Sequence, residues 1–163
     1  PNIESTMKSL LNHPIASSDS TIKDVANDTI KYIKENGPSL NSSYKELEKT
    51  CDTVVVEGSG GLFVPSGKDF MMSDIIKMLN LPVIIVARPD LGTINHTLLT
   101  IGALRNLKTE IFGVVISNYP KNTTDPAIIT APDLIEKFGD IKVLDIIQQD
   151  GEDFSKIVDI LIS

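Results

Sequence analysis

An α/β domain with a parallel sheet covered by helices on both faces is the fold class that this sequence predicts. Three observations predict it. PVIIVA (82–87) is apolar throughout and IFGVVIS (111–117) is apolar up to its final Ser117, as strands buried on both faces are. They alternate with segments whose apolar residues recur at helical spacing. The segments that follow the strand-like runs carry Gly, Asn and Asp, the residues of turns that lead from a strand into a helix. With 163 residues, the chain is long enough for one domain with a substantial core.

Each element follows in order. Ile22, Val25, Ala26, Ile30 and Ile33 predict a helix that Asn36-Gly37-Pro38 ends. SYKELEK (43–49) predicts a short second helix, and residues 53–56 a buried-type strand that runs into glycines. A helix is expected over 70–79, then a strand over 82–87. The next helix, 95–107, is expected to bury Leu98, Leu99, Ile101 and Leu104. A strand over 111–117, a helix over 132–138, a strand over 142–147 and an amphipathic helix over 154–161 complete the pattern. Residues 1–20 read as polar and helical, with Met7, Leu10 and Leu11 as their apolar members. No internal repeat or low-complexity segment interrupts the series.

Composition narrows the function. The chain is 41% hydrophobic and 23% charged, in the range of ordinary globular proteins. A net charge of −7 and a pI near 4.7 argue against nucleic acid, which requires clustered Lys and Arg, and against anionic membrane surfaces. An anionic small ligand must then be held by backbone N–H groups and a few lysines. Cys51 is the single cysteine, and His13 and His96 are the two histidines, so neither an intrachain disulfide nor a zinc site is expected. No apolar run approaches a membrane span, and no basic stretch followed by an apolar one opens the chain. The expected setting is a reduced cytoplasm. Pro1 in place of Met gives the expectation of a processed start or of a longer polypeptide.

Ligands of parallel sheets bind beyond the carboxyl ends of the strands. Three such ends carry unusual residues: Glu57-Gly-Ser-Gly-Gly, Pro89-Asp-Leu-Gly-Thr-Ile-Asn and Ser117-Asn-Tyr-Pro. They are expected to lie side by side. The first is not a Walker loop, because five residues separate Gly61 from Gly67 and Asp69 stands where a hydroxyl belongs. It is not a dinucleotide fingerprint either, since Phe63 occupies the third glycine position. Glu57 then has two readings: a carboxylate that shares Mg²⁺ with phosphate oxygens, or a solvated residue in a tight turn. In the second loop Asp90 or Thr93 is expected to cap the helix, while Gly92 exposes first-turn N–H groups that attract an anion and Asn95 adds a donor. The alternative is an ordinary capped helix, with His96 as a packing or capping residue. In the third, Asn118 either matches the N6/N7 edge of adenine or forms a turn before Tyr119-Pro120.

Taken together, DTVVVEGSGGLFVP (52–65), LPVIIVARPDLGTINHTLLT (81–100) and GVVISNYP (113–120) resemble dethiobiotin synthetase, the ATP-dependent ring-closing ligase of biotin biosynthesis. The resemblance covers roughly residues 50–147, the carboxyl-terminal portion of that family, and implies a three-layer P-loop NTPase-like domain over the whole of 1–163. It implies a homodimer that joins CO₂ to 7,8-diaminononanoate as a carbamate, which ATP phosphorylates before the second amine closes the ureido ring. Glu57 is similar to the family's Mg²⁺ ligand, with Gly58, Ser59 and Gly60 near the nucleotide phosphates. Asn118, beside Tyr119, matches the adenine-reading residue. Gly92, Thr93 and Asn95 match the helix start, contributed by the other subunit, that receives the substrate carboxylate.

The departures are equally specific. The family's opening strand, its Gly-rich Lys-Thr phosphate loop and its Lys-Pro segment have no match here, so no catalytic residue is assigned. Gln148-Gln149 stands where the family usually has Pro beside the adenine. Without the lysines, charge on a transferred phosphoryl group lacks its main stabilisation. Two expectations follow: part of a ligase that needs a P-loop-bearing partner chain, or a binding or dimerisation module without catalysis. The amide-forming ligases of cobalamin synthesis share the strand-Glu-Gly pattern, but the LGTINH helix start speaks against them.

Overall fold

A computed structural model describes residues 40–66, 71–151 and 153–162. The expected helix over 22–33, the segment 1–20 and the Gly67-Lys68 pair lie outside the described residues. Two compact units divide the chain, Pro1–Leu79 and Asn80–Ser163.

In the first unit, α1 (Leu40–Glu48) ends where Cys51 N–H donates to the Leu47 carbonyl at 2.9 Å. Residues 53–58 form no strand, contrary to the sequence expectation, and Val55 is 77% exposed. The physical reason is that a β-branched run becomes a strand only where a ladder partner satisfies its backbone, and none pairs with it among the described residues. The chain then curls onto the start of α2 (Met72–Leu79). Pro65 bridges Met71 in antiparallel fashion, and the Met72 and Ser73 N–H groups donate to Val64 and Leu62 carbonyls, each at 2.9 Å. Asp74 Oδ2 accepts the Met71 N–H at 2.8 Å, the carboxylate half of a capping box.

The second unit holds β1 (Val83–Ala87), α3 (Thr93–Asn106), β2 (Ile111–Tyr119), α4 (Pro126–Ile129), α5 (Ala131–Gly139), β3 (Val143–Gln148) and α6 (Ser155–Ile162). The three strands form one parallel sheet in the order β1-β2-β3. α3 packs on β1, β2 and α5, while α5 and α6 pack on β3. Ile101, Leu104, Val114, Ile116 and Ile135 are buried to within 1% between these layers. Each is worth roughly 1.5–3 kcal/mol of apolar burial. Gly113 makes room for Leu144, whose side chain would lie 2.5 Å from any Cβ added there.

Two expectations need correction. The buried stripe of α3 is Thr93, Thr97, Ile101 and Leu104, whereas Leu99 is 63% exposed. Leu99 lies two positions from both Thr97 and Ile101, about 200° around the helix, and so points away from the sheet. The second strand runs on to Tyr119 rather than stopping at residue 117, which carries Asn118 into the ladder's end.

Candidate ligand-binding site

All strands of the second unit run parallel, so their carboxyl ends share one edge of the sheet. There β1 leads into Arg88–Gly92 and the start of α3, while neighbouring β2 ends at Asn118-Tyr119; Ala87 and Ile116 are register partners. The second and third sequence loops are therefore brought to one end of the sheet. The Glu57 loop belongs to the first unit and is described within it.

The α3 start differs from the sequence expectation in a way that matters chemically. Neither Asp90 nor Thr93 caps it through a side chain. Gly92 is the N-cap, with φ 93° in the left-handed region and no side-chain hydrogen bond to the helix. Asp90 contributes only its main-chain carbonyl, which accepts the Thr93 N–H at 3.0 Å, and Thr93 is already helical and buried. The His96 N–H donates to the Gly92 carbonyl at 3.0 Å, closing the first turn. The His96 ring lies over Gly92, 3.5 Å from where a Cβ would stand. The Ile94 and Asn95 N–H groups have no acceptor among the described residues. With the helix dipole behind them, they form an end suited to a carboxylate or a phosphate. Asn95 is exposed beside them.

Asn118 sits at φ 61°, where β2 slips register against β3 between Ile116 and Tyr119. A bulge of this kind re-aims a side chain, and Asn tolerates the left-handed conformation that it needs. The Asn118 amide is exposed and makes no hydrogen bond among the described residues. Tyr119 anchors the same end twice: its carbonyl accepts the Gln149 N–H at 2.7 Å, and its hydroxyl donates to the Ile128 carbonyl at 3.4 Å. The Gln149 tie brings the turn after β3 to Tyr119, a neighbourhood that the loop-by-loop sequence reading missed. Its signal was the Asp150-Gly151 pair: Asp150 has φ 58°, and a Cβ on Gly151 would come within 2.9 Å of the Gln148 carbonyl.

In the glycine loop, Gly60 adopts φ 81° with Val64 3.0 Å from a Cβ position, and Gly58 packs on Met72. The Gly61 N–H donates to the Ser59 carbonyl at 3.1 Å. Gly58 and Gly60 are thus used for close approach within the protein itself. Glu57 is exposed and has neither a hydrogen-bond nor an ion-pair partner among the described residues. No group of three or more His, Cys, Asp or Glu suited to a metal occurs among those residues. A lone free carboxylate fits Mg²⁺ in the manner of nucleotide sites, where phosphates and water supply the other ligands.

The model of an AAA domain family matches residues 1–152. The chain belongs to that family. Its parallel strands with helices around them are accordingly a P-loop NTPase-like α/β arrangement. The AAA-domain chain is 41% identical over 133 residues to the ATP-dependent dethiobiotin synthetase BioD of Methanocaldococcus jannaschii, an alignment covering 80% of this chain and 61% of the relative. It is 37% identical over 115 residues to that of Methanococcus vannielii, covering 71% and 54%, and 41% identical over 103 residues to that of Bacillus licheniformis, covering 62% and 43%. The chain therefore resembles dethiobiotin synthetases while spanning about half the length of the curated relatives it matches. Among the described residues, no helix is long and apolar enough to cross a membrane.

Proposed function

We propose that this chain forms part of a dethiobiotin synthetase-type ligase that closes the ureido ring on 7,8-diaminononanoate with CO₂ and ATP. The observation that carries the reading is the α3 start, open at its N–H groups, at the sheet end that also bears Asn118. The anion-binding end and the nucleobase-sized amide donor–acceptor each suit one part of such a substrate pair, a carboxylate tail and a nucleotide. The helix start serves the site of the other subunit in the homodimer.

In this reading the Ile94 and Asn95 N–H groups, with Gly92, Thr93 and the Asn95 side chain, receive the diaminononanoate carboxylate. The Asn118 amide, with Tyr119 behind it, reads the adenine N6/N7 edge. Gly58, Ser59 and Gly60 line the phosphates, and Glu57 would hold Mg²⁺ together with them. When bound, the ion supplies charge neutralisation at the phosphates. The chain acts as one cytoplasmic domain in a homodimer, and a P-loop-bearing segment supplies the lysines needed for phosphoryl transfer.

Calorimetric titration of the 163-residue chain with ATP–Mg²⁺ and with diaminononanoate tests this. Diaminononanoate binding supports the ligase reading even if ATP binding awaits the partner segment, and turnover on adding that segment completes it. Binding of neither would sink both site assignments. The second reading is a binding or dimerisation module without catalysis. Failure of any P-loop segment to restore turnover would favour it.

A further inference from the structure

The chain's arginines are Arg88 and Arg105, in a sequence whose other basic side chains are lysines and two histidines. Arg105 is used within the fold: its Nη2 donates to the Asp140 carbonyl at 2.9 Å, 35 residues along the chain. Arg88 is exposed and has neither an ion-pair nor a hydrogen-bond partner among the described residues. Its place is specific. It follows β1 directly, at the carboxyl end of the sheet, where the ligands of parallel sheets bind. Ala87 and Ile116 are the last register pair of β1 and β2, so the next step sets Arg88 beside Ser117 and one residue short of Asn118. Neighbouring strands lie about 4.8 Å apart. The buried Pro89 confines Arg88 to extended backbone, which carries the alternation of the strand one residue further. Arg88 therefore shares the face of Val86, which is 68% exposed, rather than that of Ala87, which is 6% exposed.

We propose that Arg88 binds the phosphate chain of the nucleotide whose base Asn118 reads. A net charge of −7 gives the chain no general attraction for a polyphosphate, so a local cation must supply it. A guanidinium stays charged at any working pH, and its paired N–H donors match two oxygens of one phosphate, which a lysine cannot do. A long side chain on the neighbouring strand can meet phosphates that trail from a base held at Asn118. The diaminononanoate carboxylate is the less suited occupant, because the Ile94 and Asn95 N–H groups already provide for it. This deepens the ligase reading by adding a residue to its nucleotide site, and it rests on that reading for the identity of the base.

Calorimetric titration of the 163-residue chain with ATP–Mg²⁺, with inorganic tripolyphosphate–Mg²⁺ and with diaminononanoate tests the assignment. Arg88→Ala is expected to weaken ATP and tripolyphosphate each by about tenfold or more and to leave diaminononanoate unchanged. Arg88→Lys should recover part of the loss. Asn118→Gly should weaken ATP alone, since tripolyphosphate carries no base. Thermal midpoints of both Arg88 variants should match that of the unaltered chain, so that a loss of affinity is not a loss of fold. Unchanged ATP and tripolyphosphate affinities in Arg88→Ala overturn the proposal. Failure of both ligands to bind the unaltered chain, or a loss confined to diaminononanoate, overturns it as well. Diaminononanoate also separates the two ideas. Arg88-dependent ATP binding without diaminononanoate binding leaves the arginine's role standing without the ligase reading, and diaminononanoate binding beside Arg88-independent ATP binding does the reverse.

Discussion

Glu136 on α5 accepts the Val143 N–H at 2.8 Å, across seven residues and the left-handed turn at Asp140. A helix side chain thus fastens the first residue of β3, next to the register slip that the strand makes against β2. Glu136→Ala is expected to lower stability by about 1 kcal/mol, and Glu136→Gln, which keeps an acceptor, by less. Urea unfolding of the three proteins measures the difference; equal midpoints would show that the bond carries nothing.

At Gly113 the Leu144 side chain of β3 lies against the β2 backbone. An added methyl would meet the branch point of Leu144 rather than a flexible tip. Gly113→Ala is therefore expected to cost about 1–3 kcal/mol of stability. Gly113→Ala combined with Leu144→Ala should recover part of that loss, read as a double-mutant cycle.

At Asn118, backbone and side chain can be separated. Asn118→Gly keeps the left-handed conformation and removes the amide, so stability should hold while ATP–Mg²⁺ affinity falls by about tenfold, one to two hydrogen bonds' worth. Asn118→Val should lose the same affinity and also about 1–2 kcal/mol of stability, because a β-branched residue resists φ 61°. Calorimetry and thermal melts on the pair distinguish a reading residue from a turn residue.

Gly92→Ala tests the helix start. The nearest atom to the new Cβ is His96 Cε1 at 3.5 Å, an ordinary contact, so any cost arises from φ 93°. A loss of about 1 kcal/mol of stability is expected. Diaminononanoate binding should weaken more than ATP binding; an equal effect on both ligands would detach this end from the carboxylate.

Asp153 supplies a pH signature at α6. The Ser155 hydroxyl and backbone N–H both donate to its Oδ1, at 2.6 and 3.0 Å, and hold the carboxyl below its ordinary value. The ionised form is the bonded one. Its stabilisation of the α6 start is present above the ordinary aspartate pKa and fades as pH falls through the lowered one. Amide exchange over residues 155–158 should accelerate in that acid range, and Asp153→Asn should flatten the response.

The elements that were legible in the sequence are those whose signal is local. VIIVA and the apolar core of β2 announced strands because β-branched runs pack on a sheet from either face. Thr53–Val56 carries the same signal and is not a strand, since a ladder needs a neighbour that no composition reports. Leu99 was misread because Leu98, Leu99, Ile101 and Leu104 span more of the helix than one sheet-facing stripe. Thr93 and Thr97 occupy that stripe instead, and threonine near a helix start reads as a cap. The helix start at the LGTIN segment was legible. Its cause was not, because cap rules look for side chains and Gly92 acts by conformation.

That last feature has an evolutionary consequence. An anion held by the Ile94 and Asn95 peptide N–H groups would be held without regard to what side chains they carry; nearly every residue except proline presents the same donor. Those donors also have no proton to gain or lose near neutrality. Such a contact can persist through extensive sequence drift, and its signature in descendants would be a glycine and a missing proline rather than a charged residue.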